Sequence, residues 1–107
     1  MIFDHRTYTI RPNRLHDFLA LYEEFGLPLQ RQYLGEPFGY FYTHIGPLSR
    51  VVHLWQFADL ADRDQRRDDM EADPLWKAFR RKVIETDYVL DMENQILRAA
   101  PFFNPTK

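Results

Sequence analysis

The first run of the chain, Ile2 to Ile10 (IFDHRTYTI), alternates its side chains at period two and is rich in Ile, Phe, Tyr and Thr, which predicts a strand. Arg11-Pro12-Asn13 stops it, with Asn13 placed to cap a helix. From Arg14 to about Gln32 the apolar positions Leu15, Phe18, Leu19, Tyr22 and Phe25 fall on one helical face. Gly26 and Pro28 predict a kink or short break before Leu29 to Tyr33. Phe38 to Ile45 (FGYFYTHI) and Val51 to Phe57 (VVHLWQF) read as two strands joined closely enough for a hairpin. Asp59 is placed to cap a helix reaching Met70 and Glu71, and Asp73-Pro74 starts another, with Leu75, Trp76, Phe79 and Val83 as its apolar stripe. Glu93 to Ala99 reads as a last strand. The order is that of a ferredoxin-like βαββαβ unit of the α+β class, with a four-stranded antiparallel sheet and helices on one face.

The hairpin also bears on assembly. A turn formed by Gly46 to Ser49 would set Ile45 opposite Arg50, Tyr42 opposite His53, Tyr40 opposite Trp55 and Phe38 opposite Phe57. One face then carries Phe38, Tyr40, Tyr42 and His44 beside Val51, His53, Trp55 and Phe57, and the other carries Phe41 and Ile45 beside Val52 and Leu54. A one-residue slip exchanges the two sets. Both faces are apolar in either register, whereas a sheet covered on one side normally turns polar residues to water. At ~25 cal/mol per Å2, an exposed patch of ~400 Å2 leaves on the order of 10 kcal/mol of burial unclaimed before the costs of association. A second copy packed sheet to sheet is the simplest cover, so the chain is expected to be a homodimer. Which face meets the helices is left open by the pattern.

Composition narrows the function classes. The 107 residues allow one domain, read as 1–100 with a tail at 101–107, and hydrophobic residues at 45% place it among globular proteins. Aromatics reach 16%, more than a small core usually needs, which points to an interface or a pocket. The absence of cysteine excludes disulfides, a thiolate nucleophile and cysteine-ligated metals. A net charge of −2 gives no footprint for nucleic acid or anionic lipid, and no apolar run approaches the ~20 residues of a membrane span. The first residues carry neither signal-peptide nor transit-peptide character, so a cytoplasmic protein is expected.

His53 leads the candidate site residues. It lies mid-strand among large apolar residues and shares a face with Tyr40, Tyr42 and Trp55. A half-buried imidazole beside phenols orients a ligand or moves a proton near neutral pH; the competing reading is a histidine satisfied inside a core. Tyr8, Tyr40, Tyr42 and Trp55 have the composition of an aromatic-walled small-molecule site, and equally that of interface filler. Arg6 suits a ligand carboxylate or phosphate, or a salt bridge to Asp4 or Glu93. The mixed charges Asp62, Arg63, Arg66, Arg67 and Asp69 read as a solvated helix face. His5, His16, His44 and His53 have no metal-ligand spacing, Ser49 lacks a nucleophile frame, and four dispersed glycines make no phosphate loop, so no metal or cofactor is expected. An RNA-recognition module is disfavoured, since VVHLWQF lacks that motif's glycine and basic start.

The segments RTYTIRPNRLHDFLALYEEFGLP, GYFYTHIGPL, VVHLWQFADLADRDQRR, ADPLWKAF and ENQILRAAPF resemble the NIPSNAP family over nearly the whole chain. The most specific pieces are Arg6-x-Tyr8, Gly39-Tyr40-Phe41 through Ile45-Gly46-Pro47, and Val52-His53-Leu54-Trp55. Asn13 departs from the family, which often has glycine there. The resemblance implies a dimeric α/β barrel in which two four-stranded sheets face each other. It implies no reaction: animal members are linked with mitochondria and vesicle traffic, while related barrels include cofactor-free monooxygenases and haem-degrading enzymes, often with a pocket between sheet and helices. The last histidine is His53, so a haem ligand on the later helices or last strand is missing. The expected function is binding of a small aromatic or hydrophobic molecule in a pocket of the dimer. The alternatives are a cofactor-independent monooxygenase-like enzyme and a non-enzymatic dimeric adaptor.

Overall fold

The computed structural model describes residues 1–105. The chain forms β1 (Ile2–Ile10), α1 (Leu15–Leu21), a π-helical turn (Tyr22–Gly26), α2 (Leu27–Leu34), β2 (Gly39–Tyr42), β3 (Arg50–Phe57), α3 (Leu60–Ala72), α4 (Pro74–Thr86) and β4 (Val89–Leu97). The strands lie in the order β2-β3-β1-β4, each antiparallel to its neighbour. This is the ferredoxin-like α+β arrangement expected from the element order. Among the described residues no helix is long and apolar enough to cross a membrane. The tail read at 101–107 is described as far as residue 105, and its last two positions lie outside the described residues.

The helix boundaries follow local chemistry, with three corrections to the expected positions. Asp59 accepts from the Asp62 amide at 2.8 Å, and Asp73 accepts from the Leu75 amide at 2.8 Å ahead of Pro74, so α3 and α4 begin at the expected side-chain caps. Asn13 does not cap α1. It sits in a left-handed turn at φ 67°, a conformation glycine adopts freely and asparagine tolerates, and α1 starts without a side-chain cap. The second correction concerns Phe25, which was assigned to the apolar face but is 39% exposed. The wide turn between α1 and α2 advances the helix phase by about one residue, so Gly26 takes the inward place and Phe25 lies outside. Gly26 has to be small, because a Cβ there would meet the Phe79 ring at 2.7 Å. Leu75 of the expected α4 stripe also faces out, whereas Trp76 and Phe79 are buried.

The hairpin register differs from the sequence expectation by two residues. Tyr40 pairs with His53 and Tyr42 with Val51, and β2 ends at Tyr42. The turn is longer than Gly46 to Ser49, closing where the Thr43 amide reaches the Arg50 carbonyl at 2.9 Å. A two-residue shift preserves the faces. Val51, His53, Trp55 and Phe57 are all buried beneath the helices, while the other side of β3 presents Val52 and Leu54 half-exposed. That second face is apolar over the hairpin and at Phe3 and Leu97. Across β1 and β4 it carries His5, Thr7, Glu93 and Gln95, which corrects the expectation of apolar character throughout. β4 begins at Val89, ahead of the Glu93 read from sequence, and is exposed along most of its length.

Candidate functional site: a cavity between the sheet and the last two helices

The helix-facing side of β1 places Asp4, Arg6 and Tyr8 in one row, opposite Trp55, His53 and Val51 of β3. Asp4 is fully buried. It accepts from Arg6 Nη1 at 3.2 Å, Arg63 Nε at 3.0 Å and Asn94 Nδ2 at 3.0 Å. Burial alone would raise its pKa, but the Asn94 hydrogen bond and the two guanidiniums outweigh it and hold the carboxyl below the usual range. Arg6 therefore makes the salt bridge to Asp4 that was one of its two readings, and its Nε also donates to the Tyr8 hydroxyl at 3.2 Å. Glu93, the other acid considered, pairs with Thr7 and so belongs to the opposite face.

His53, Tyr40 and Tyr8 come together, and Trp55 joins them. The His53 ring stacks on Tyr40 at 4.7 Å between centroids and meets Tyr8 edge-on at 4.8 Å. Trp55 Nε1 donates to His53 Nδ1 at 2.7 Å. His53 Nε2 and the Tyr40 hydroxyl are buried without a hydrogen-bond partner. Burial, then the nearby Arg6 charge, pushes the imidazole pKa down to about 3, so it is neutral across the physiological range. Tyr42 stands apart. It is exposed at the hairpin end, with its ring 5.6 Å from His16.

Beside this cluster the sheet and helices leave a cavity of about 220 Å3. Arg6 and Tyr8 line it; Tyr40, Tyr42, His53 and Trp55 do not. Its apolar wall comes from Phe18, Tyr22 and Phe79, with Val83 and Met92 toward the rim. Tyr22 is fixed by its hydroxyl, which donates to the buried Gln30 side chain, and burial together with Tyr40 pushes its phenol pKa well above the ordinary value. The polar wall is formed by Arg6, Arg67, Glu71 and Arg80, joined by Trp76. Trp76 is buried and its indole Nε1 has no acceptor. Ring contacts run from Trp76 through Phe79 (5.2 Å), Tyr22 (6.3 Å) and Tyr40 (4.9 Å) to His53, so the cluster read from sequence lies behind the cavity wall and supports it.

Sequence reasoning missed Arg67, Arg80, Glu71 and Trp76 as site residues. Arg63 and Arg67 were read as part of a solvated face, yet Arg63 reaches the buried Asp4 and the Arg67 side chain is only 18% exposed. The available signal was their i,i+4 spacing, with Met70 completing a buried stripe on α3. The arrangement can enclose a small molecule with an apolar body and offer it several N–H donors.

The NIPSNAP family model matches residues 3–104. A NipSnap homologue of Dictyostelium discoideum is 34% identical over 79 residues, which is 70% of this chain; the chain spans 33% of that relative's length. The solved structure of an uncharacterised NIPSNAP-like domain protein from Burkholderia xenovorans is 43% identical with a TM-score of 0.89, covering 97% of this chain and 89% of that one. A NIPSNAP family protein from Agrobacterium tumefaciens is 39% identical with a TM-score of 0.88, covering 94% of each chain. An antibiotic biosynthesis monooxygenase, 18% identical with a TM-score of 0.64 over 94% of this chain and 100% of that one, shares the fold alone. With the fold, the quoted motifs and the family match in agreement, this chain belongs to the NIPSNAP family.

Proposed function

We propose that this NIPSNAP-family chain binds a small aromatic or hydrophobic molecule in the cavity between its sheet and α3–α4, and that it acts as a cytoplasmic homodimer. The carrying observation is the cavity itself: about 220 Å3, walled by aromatic and aliphatic side chains, with Arg6, Arg67 and Arg80 among its lining residues. Binding pockets combine an apolar wall with a few convergent polar groups. A liquid water occupies about 30 Å3, so the space exceeds that of a lone solvent molecule.

Homodimerisation is supported by the uncovered side of the sheet. Phe41 is 60% exposed there, beside Val52 and Leu54, and β4 leaves a nine-residue edge. An exposed apolar sheet surface of this kind is a common association site. The absence of cysteine agrees with a reducing compartment.

Native mass spectrometry and thermal-shift measurements on the intact protein with a panel of small aromatic and branched aliphatic compounds test the binding reading. Saturable binding that disappears in Val83→Trp, which fills the rim of the cavity, is the expected result. A panel without any binder, or binders indifferent to a folded Val83→Trp protein, would remove the cavity from the argument.

A further inference from the structure

Three guanidiniums and one carboxylate line the cavity, and their pairing is uneven. Arg6 is matched by Asp4 at 3.2 Å. Arg80 is matched by Glu71 at 2.8 Å. Arg67 is left with the same Glu71 at 3.6 Å, beyond hydrogen-bond reach, although its side chain is largely withdrawn from water. Burial, then the repulsion of Arg6, lowers the Arg67 pKa below that of a free guanidinium, as expected of a cation without adequate compensation. Removing an arginine from water without a full partner is unfavourable, so the site as it stands is one negative charge short.

We propose that the cavity takes a small monocarboxylic acid, its carboxylate held by Arg67 and its apolar body against Phe18, Tyr22 and Phe79. This rests on the binding function proposed above and specifies its ligand class. The planar guanidinium fork matches a carboxylate through two parallel hydrogen bonds. Arg6 and Arg80 already hold protein carboxylates, so one unit of ligand charge completes the balance and a phosphate dianion exceeds it. The volume accommodates a body of about the size of a single ring or a short branched chain.

Titration calorimetry on the intact protein tests the class with matched probes: benzoate, phenylacetate and isovalerate, their neutral amides, and phenyl phosphate. At least one acid is expected to bind tenfold or more tightly than its amide. That preference should weaken as salt is raised, and it should collapse to less than threefold in Arg67→Gln. Circular dichroism and thermal melting establish that Arg67→Gln and Val83→Trp fold. Acids and amides that bind alike, both blocked by Val83→Trp, would overturn the carboxylate assignment and leave the cavity reading intact. Phenyl phosphate binding more tightly than every acid would overturn the monoanion assignment. Silence from every probe would overturn the assignment to this ligand class, while binders outside these probes that Val83→Trp abolishes would keep the cavity reading standing.

Discussion

The indole N–H of Trp55 and the Nδ1 atom of His53 are joined at 2.7 Å, two residues apart on the same face of β3 and both fully buried. Because Nδ1 accepts that bond, the imidazole proton sits on Nε2, which has no acceptor. The two side chains share this polar interaction beside the ion pair of Arg6 with the buried Asp4, and the imidazole is held neutral. His53 lies fully buried behind the cavity wall.

A pH dependence follows from that neutrality. The unfolded state takes up a proton near pH 6.5, while folded His53 does so only near about 3. Between those values the unfolded state binds more protons, so stability rises with pH through the window and falls as acid is added. Denaturant titrations should show stability declining by about 1.4 kcal/mol per pH unit below 6.5 from this group. His53→Gln should lose most of that slope between pH 6 and 4; an unchanged slope would reassign it to other groups.

Asp4 gives a second, more acidic transition. Its folded pKa is depressed, so its contribution is present above the unfolded carboxylate value near 4 and is lost as pH falls through the folded one. Asp4→Asn keeps much of the shape but leaves Arg6 and Arg63 facing each other without their shared carboxylate. A loss of about 3 kcal/mol at pH 7 is expected from breaking a buried ion cluster. Urea unfolding measures it, and a loss below about 1 kcal/mol would show that water compensates the arginines.

Gly26→Ala should be costly although alanine favours helices. The new methyl would press on the Phe79 ring, giving about 1–3 kcal/mol of destabilisation by overpacking. Phe79 lines the cavity, so the variant should also weaken any cavity binder found for the wild type. Melting temperature and probe affinity measured together would expose the coupling; a fully stable variant would mean that the ring moves freely.

Phe41→Glu tests the proposed dimer face. Phe41 lies on the sheet side away from the helices, so the protomer should keep its fold. Light scattering across a dilution series should show self-association weakened by roughly 2 kcal/mol or more, the cost typical of an interface anchor. A wild-type protein that is monomeric at micromolar concentration would remove the dimer altogether.

The element order, the two acidic helix starts and the grouping of Tyr40, His53 and Trp55 were all legible in the sequence, because they rest on spacing and local hydrogen bonding. The grouping survived an error in register because a shift of two residues leaves side-chain direction unchanged. The choice of helix-covered face was not legible, since Phe41, Val52 and Leu54 are as apolar as some residues on the buried side. Arg67 was hidden for a different reason. Charged residues around it on α3 do meet water, and only tertiary packing against the rest of the fold withdraws Arg67 and Arg63 from it. The start of β4 was obscured by Asp91, which an exposed edge strand accommodates and a central one would not.

The widened turn at Tyr22–Gly26 bears on how the chain tolerates changes in its length. One more residue is stored there than an ordinary α-turn requires, so shortening the chain at Phe25 would let the turn tighten while Leu29 and Leu34 still reach their present neighbours. The same deletion inside α4 has no such reserve: everything past the cut would swing by about 100° around the helix axis, taking Phe79 or Val83 out of the cavity wall.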